Sequence, residues 1–471
     1  MSAVTDRRVS APHLVRLLGP VDPNIPAYQW ISDSIRLLIA DGRLLHDTRL
    51  PSERDLVTAL ALSRTTVTHA YAILRDKGYA QSRQGSGTVV RVPGGPASGG
   101  GEPLPLASLD DGSGDVIDLT HASPMAVPGL SVAYAEAVDR LPAFVGGGGY
   151  FHLGVPQLRE QIASGYRARG VPTDAEQIIV TVGALGGLAA VFRALVRPGD
   201  RVIAQSPGYP NSLGALSHSG ARVVPVTDDG AGIEQLLDTI HRSGARAMLA
   251  MPDFHNPTGV VWSEDERARV AAAWRERGVI GIVDDTTARV WLDAEPQVRP
   301  MAAHSADCVS VGSASKSHWG GLRIGWIRAP HNVIGAIARA RLSLDLGAPI
   351  LEQLVVAQLL RESDGLADSV RRQLIASREA LLELATACPG WRTRVPEGGL
   401  SLWWQLPQPK SSALVTAARR HGILLAPGSA FAVTGHGLER WVRTPYGLDD
   451  VTLRRAVPII AQAWAEAKTG R

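Results

Sequence analysis

Lys316 follows the small residues Gly312, Ser313, Ala314 and Ser315, and Arg323 lies seven positions on, beyond the glycine pair Gly320 and Gly321. A lysine in such a setting suits an amine that forms a Schiff base with an aldehyde beside a bound phosphate. That chemistry needs a pocket, and a pocket needs rigid elements to carry it.

The chain has 471 residues, too many for one ordinary domain. A hydrophobic content of 45% and a charged content of 20% fit a soluble globular protein. Cys308 and Cys388 are too far apart in sequence for a disulfide framework or a metal-ligand cluster, so a reducing cytoplasm is the expected compartment. The first residues lack the apolar core of a signal peptide, and the apolar run at 349–360 is broken by Glu352 and Gln353 and is too short to span a bilayer. Charge is uneven. Residues 1–92 hold 12 Lys and Arg against 8 Asp and Glu, whereas the rest holds 36 against 37. The positive excess sits in the first module and favours a polyanion there.

A Gly-, Pro- and Ser-rich stretch at 93–116 reads as a flexible linker, because it cannot bury enough surface to offset ordering entropy. Before it, at 22–92, come three helical patterns and a hairpin. Ile31, Ile35, Leu38 and Ile39 share a helix face. Ser52 to Asp55 reads as a capping box. Ser63 caps a third helix over 64–77, with Val67, Tyr71 and Leu74 facing the core. Two short strand-like runs follow around Gly85 and Gly87. Helix, helix, turn, helix, hairpin is the order of a winged helix-turn-helix. After the linker, 117–471 alternates apolar β-rich runs (177–182, 201–205, 221–226, 247–251, 279–283, 308–311) with helical stretches such as 186–196 and 264–277. This predicts a mainly parallel sheet with helices on both faces. The last part, from about 344, mixes long helices with strands at 400–405 and 440–443 and predicts a smaller α+β lobe.

The first module resembles the GntR type of winged helix-turn-helix. The residues that carry the likeness are Tyr28 and Gln29, the run Arg49 to Leu56, the run Ser63 to Val67, Gly78 and Tyr79, and Gly85 to Thr88. The resemblance implies a DNA reader. Arg64, Thr65 and Thr66 fall in the first turn of the recognition helix, where side chains reach base edges and phosphates. Ser63 and the helix N-terminus can receive a phosphate. Arg49, Ser52 and Arg54 suit the DNA backbone, and Gly85 and Gly87 form the tip of the wing. His69 reads equally as a base contact or as a solvated helix position. Ala61 stands where the family often has a glycine. A dimer reading two half-sites is expected.

The second module resembles fold-type I, pyridoxal-phosphate-dependent aminotransferases, and the whole chain is similar to MocR/GabR-type regulators. The likeness implies pyridoxal 5'-phosphate on Lys316. Arg323, Ser313, Ser315 and the backbone N–H groups of Ala184 and Leu185 would hold its phosphate. Asp284 would bond the pyridine nitrogen, in preference to Asp285, whose side chain should point the other way. Asn256 would bond the phenolic oxygen, and Tyr209 would stack on the ring. Arg443 would grip the carboxylate of an amino-acid effector. Three features depart from the family pattern. Thr286 stands in place of a tyrosine after the aspartate. Tyr150 is shifted by one position from the tyrosine that reaches the neighbouring subunit's phosphate. Asn256 is closer to active aminotransferases than to most regulators.

These readings together predict a homodimeric, DNA-binding regulator that senses an amino-containing effector or pyridoxal phosphate itself. An active aminotransferase with a regulatory head and a cofactor-free scaffold are the competing readings.

Overall fold

The computed structural model describes residues 8–21, 23–40, 44, 46, 48–83, 87–91, 116–227, 233–362 and 365–469. The expected linker, apart from Val116, and the wing residue Gly85 lie outside the described residues.

The head is built on helices Ala27–Ala40, Glu53–Leu60 and Arg64–Asp76 and the antiparallel pair Ala80–Arg83 and Gly87–Val90, the expected winged order. An additional helix, Ala11–Leu18, is capped by the Ser10 side chain, and its Leu14 and Leu18 join the head's core ahead of the expected boundary at 22. At eight residues it is too short to repeat its apolar face more than twice, which hides it from a periodicity reading. Val67, Tyr71 and Leu74 are buried as their spacing predicts. Two bonds tie the helix pair: Tyr71 Oη donates to Pro51 O at 2.9 Å, and Thr68 Oγ1 donates to Glu53 Oε2 at 2.6 Å. Ser52 Oγ accepts from Asp55 N at 3.1 Å, but only this half of the expected capping box forms. An aspartate is one methylene shorter than the glutamate that normally reaches back.

The large lobe contains a sheet with the strand order Ile178–Val182, Ile324–Arg328, Val309–Ser313, Ile280–Asp284, Ala247–Ala250, Arg201–Ser206, Arg222–Thr227. Side chains alternate between its two faces. Ile203, Met248 and Val283 enter one core, and Val202, Leu249 and Ile282 enter the other. The strand Ile324–Arg328 is antiparallel to both neighbours and was not expected as a strand. Its Gly325 hides the pattern. A Cβ there would lie 2.5 Å from Ala184 N, so the strand can pass the start of the neighbouring helix only as glycine. That helix begins at Gly183, three residues before the expected start, and the 3-10 turn Ala175–Gln177 takes up the start of the expected 177–182 strand.

The small lobe has an antiparallel sheet of Arg392–Thr393, Ser401–Gln405, Trp441–Pro445 and Ala426–Pro427, backed by the helices Asp368–Leu382 and Ser411–Arg420, on which the helix Asp450–Thr469 packs. Ile117–Asp118 pairs in parallel with Ile423–Leu424, which brings the segment after the linker onto this lobe. Among the described residues no helix is long and apolar enough to cross a membrane. Both cysteines are free and buried.

Ala61 closes the helix Glu53–Leu60 in the left-handed region, at φ 53° and ψ 35°. A side chain there is strained, and glycine relieves it. Ala61→Gly should therefore stabilise the head by about 0.5–1 kcal/mol, read as a higher denaturation midpoint of its unfolding transition.

Candidate functional site

Parallel strands deliver their C-terminal ends to one edge of a sheet, and that edge is where ligands collect. Here it holds Asp284, Ser313, and the turns after Val182, Ser206 and Ala250. The antiparallel strand Ile324–Arg328 starts at the same edge, because Ile324 pairs with Val182 and Gly325 with Ser313. Arg323 thus stands beside the start of the helix Gly183–Leu195. It takes φ 49°, and its guanidinium lies over Gly183, where a Cβ would be 2.6 Å from Nη2. The helix start has no side-chain cap, so its first N–H groups remain available to an anion. Ala184 is half-buried there and Leu185 exposed.

Ser313 Oγ accepts from Ser315 N at 3.0 Å, and the Ser315 hydroxyl is buried without a partner. Lys316 is half-buried and donates from Nζ to Ala122 O at 2.6 Å. Burial, helped by Arg443 and Arg323, lowers its ammonium from the ordinary value to about 8, against the pull of Asp284. Asp284 is buried, which raises its carboxyl, while Thr286 and Lys316 act in the opposite sense. Thr286 donates to Asp284 Oδ1 through its hydroxyl at 2.6 Å and its N–H at 3.1 Å. The threonine that lines the pocket with Lys316 and Asn256 is Thr287, one residue further on. Either way no phenol stands there. Asp285 points away, toward Tyr166, as the alternation of an extended chain requires.

Asn256 and Lys316 line one pocket with Ala122, Gly399 and Ser401 from the adjoining segments. Asn256 Oδ1 accepts from Arg443 Nη1 at 3.3 Å. Arg443 is fully buried on the strand Trp441–Pro445, over the Phe431 ring at 4.8 Å, and also donates from Nη2 to Thr120 O. Its Nε has no partner, and burial lowers its pKa to about 10. Tyr209 is half-buried at the start of the helix Pro210–His218, and its hydroxyl accepts from Asn211 Nδ2 at 2.9 Å. Burial raises its phenol, and both Arg443 and Asp284 act on it. Tyr150 is exposed and stacks on His152, away from this group within the chain.

Arg443, Arg323 and Asp284 thus all act on Lys316, with an orphaned serine hydroxyl and an open helix start in the same region. That donor set fits a phosphate-bearing aldehyde. Thr120, Ala122, Phe431 and Thr287 escaped the sequence reading. Thr120 and Ala122 belong to the segment just after the linker, where the alternation of Ile117, Leu119 and their neighbours was the available signal.

On the head, Arg64 and Thr65 are exposed at the start of the recognition helix, with Thr66 half-buried behind them. Ser63 Oγ accepts from Thr66 N at 3.1 Å and shares a hydroxyl contact of 2.7 Å with Thr66 Oγ1. Arg54 and Ser52 are exposed, and Arg49 is half-buried with its guanidinium 3.4 Å from a Cβ at Gly87. His69 is exposed and meets Tyr28 edge to face at 4.5 Å.

Two family descriptions match the chain, one for each part. Residues 131–460 match the family described as aminotransferase class I and II, and residues 27–90 match the bacterial regulatory proteins of the gntR family. The chain belongs to the aminotransferase class I and II family. It carries a GntR-type DNA-binding head, the arrangement of MocR-type regulators, and this family uses pyridoxal phosphate. The chain is 30% identical to the vitamin B6 salvage pathway transcriptional repressor PtsJ of Salmonella typhimurium, over 92% of this chain and 97% of that protein. It is 27% identical to the HTH-type transcriptional regulator TauR of Rhodobacter capsulatus, over 83% of this chain and 87% of that one. Its fold is shared with LysN, the α-aminoadipate aminotransferase of Thermus thermophilus, solved with N-(5'-phosphopyridoxyl)-L-leucine. That match has a TM-score of 0.67 at 23% identity, covering 76% of this chain and 94% of LysN.

With its ammonium lowered to about 8, Lys316 in the cofactor-free protein is roughly a tenth neutral at pH 7, far more than an ordinary lysine near 10.4. Its labelling by an amine-specific reagent, followed by peptide mass spectrometry, should rise with pH through a midpoint of about 8. Surface lysines should respond only toward their ordinary value.

Proposed function

We propose that this MocR-type chain is a transcriptional switch whose aminotransferase lobe reads an amino-containing effector, or pyridoxal phosphate itself. The observation that carries the reading is the gathering of Asp284, Arg323 and Arg443 close enough to Lys316 to act on its charge, in a chain that exposes the start of a recognition helix.

When bound, pyridoxal phosphate supplies an aldehyde reactive toward amines and a ring that draws electron density. Lys316 is the residue that bonds it. Arg323, Ser313, Ser315 and the N–H groups of Ala184 and Leu185 hold the phosphate. Asp284 would hold the ring nitrogen, and its negative charge would favour that nitrogen's protonated form. Tyr209 would cover the ring, and Asn256 would bond the phenolic oxygen. Arg443 is the carboxylate grip. An incoming carboxylate competes with Asn256 Oδ1 and Thr120 O for its guanidinium, and it also meets the partnerless Nε. Arg443 belongs to the small lobe and Asn256 to the large one, so an effector held by both favours one lobe arrangement over another. Such differential affinity is what a sensor needs.

On the DNA side, Arg64, Thr65 and Thr66 read the major groove, with His69 on the flank and Ser63 at a phosphate. Arg49, Ser52 and Arg54 contact the backbone, and Gly85 and Gly87 let the wing approach. Two copies act together. Exposed apolar side chains support this: Val132 and Val138 on the helix Leu130–Arg140, Val145 and Tyr150 after it, and Leu344 and Leu346. The last two groups adjoin, because His152 Nδ1 meets Leu346 O at 2.8 Å. An apolar surface of this kind marks an association site.

The test is spectral. The purified chain supplied with pyridoxal phosphate should show a visible absorbance band that Lys316→Ala abolishes, and amino acids or amines should shift that band and its promoter affinity together. A band absent from the unaltered chain points instead to a scaffold without cofactor, and sustained conversion of amino acids to keto acids points to an enzyme. Arg64→Ala should weaken promoter binding by about 1–3 kcal/mol while the band persists. Equal promoter binding by that variant in a mobility-shift titration would place the reading helix elsewhere.

A further inference from the structure

A second cavity, of about 330 Å³, lies on the sheet face that packs the helices Pro156–Ala168 and Ile350–Glu362. Its size is at the lower end of small-molecule sites. Asp285 lines it, 8% exposed, with Oδ1 bonded to nothing and Oδ2 only 3.5 Å from the Tyr166 hydroxyl. The same cavity is lined by two more buried groups that make no hydrogen bond of ordinary length, Oε1 of Gln161 and the indole Nε1 of Trp326, the latter directed at the Tyr166 hydroxyl. Native interiors leave few such groups, and each calls for an explanation. Three converging on one cavity are explained together by a ligand.

The charges say what kind. Arg169 and Arg361 also line the cavity. Arg361 is exposed and Arg169 half-buried over the Tyr166 ring, 4.9 Å from its centre, and neither has an ion-pair partner among the described residues. A negative floor under a positive rim matches a zwitterion. We propose that this cavity binds a free α-amino acid without covalent attachment, its ammonium toward Asp285 and its carboxylate toward Arg169 and Arg361. Gln161 Oε1 accepts a second ammonium proton, and Trp326 Nε1 donates to the carboxylate. Burial and the neighbouring Asp253 raise the Asp285 carboxyl to about 6. It is therefore mostly charged at neutral pH, although Arg169 and Arg267 act on it in the opposite sense, and its unbonded Oδ1 is the atom left for an ammonium. The cavity also touches Thr286, Ser313 and Ser317, the neighbours of Asp284 and Lys316. An occupant there bears on the walls of the Lys316 pocket without entering it.

The full-length Lys316→Ala chain separates the two sites, because it forms no covalent bond. The standard protein amino acids, titrated singly into it at millimolar concentration by calorimetry, should include at least one that binds saturably. Asp285→Asn in that background should weaken this binding by about tenfold or more, and Trp326→Phe by a smaller factor. Arg443→Ala should leave it unchanged. Thermal unfolding of each variant shows whether it folds, and the two cavity variants are read independently. Binding by no amino acid overturns the proposal. So does binding that Arg443→Ala abolishes while Asp285→Asn and Trp326→Phe do not alter it.

Discussion

Burial of positive charge organises the aminotransferase lobe. Lys316 and Arg443 are withdrawn from water, with Arg323 near enough to push the Lys316 ammonium down further. Asp284 is the carboxylate that acts on Lys316, and Asp118 is the one that acts on Arg443. Removing cations from water without matched anions is costly. The cost falls if an anionic cofactor and an anionic effector complete the pocket. The open helix start at Gly183, the partnerless Ser315 hydroxyl and the partnerless Arg443 Nε belong to the same accounting.

The fold makes this concentration possible by placing strand ends at one edge. Asp284 and Ser313 stand at adjacent strand termini, and the antiparallel strand after Arg323 returns a cation to the same edge. The small lobe then lowers Arg443 over the pocket from its own sheet. The segment at 117–122 ties the arrangement together. It pairs with Ile423–Leu424 of the small lobe, and it offers Thr120 O to Arg443 and Ala122 O to Lys316. A single short stretch thus touches both cations.

The head follows a simpler logic. Ser63 and Ser52 cap consecutive helices, Tyr71 bonds the Pro51 carbonyl, and Glu53 accepts from Thr68. These bonds set the angle between the two helices and leave Arg64 and Thr65 free on the outer face. The left-handed Ala61 shows that this turn can be made without glycine, at some strain.

Much of this was readable from residue order. The winged head and the alternating α/β lobe follow from local rules of capping, periodicity and alternation. Those rules act within a few residues, so they survive without a structure. The helix Ala11–Leu18 and the strand Ile324–Arg328 were missed because a short element or a glycine blurs the pattern. The partners of Lys316 and Arg443 could not be read at all. Ala122 lies 194 residues from Lys316, and Thr120 lies 323 from Arg443. Only the packing of two lobes and a returning segment brings such groups together. Local sequence determined which residues could do the chemistry, and tertiary structure decided which groups they face, because burial and counter-charge are properties of the assembled fold.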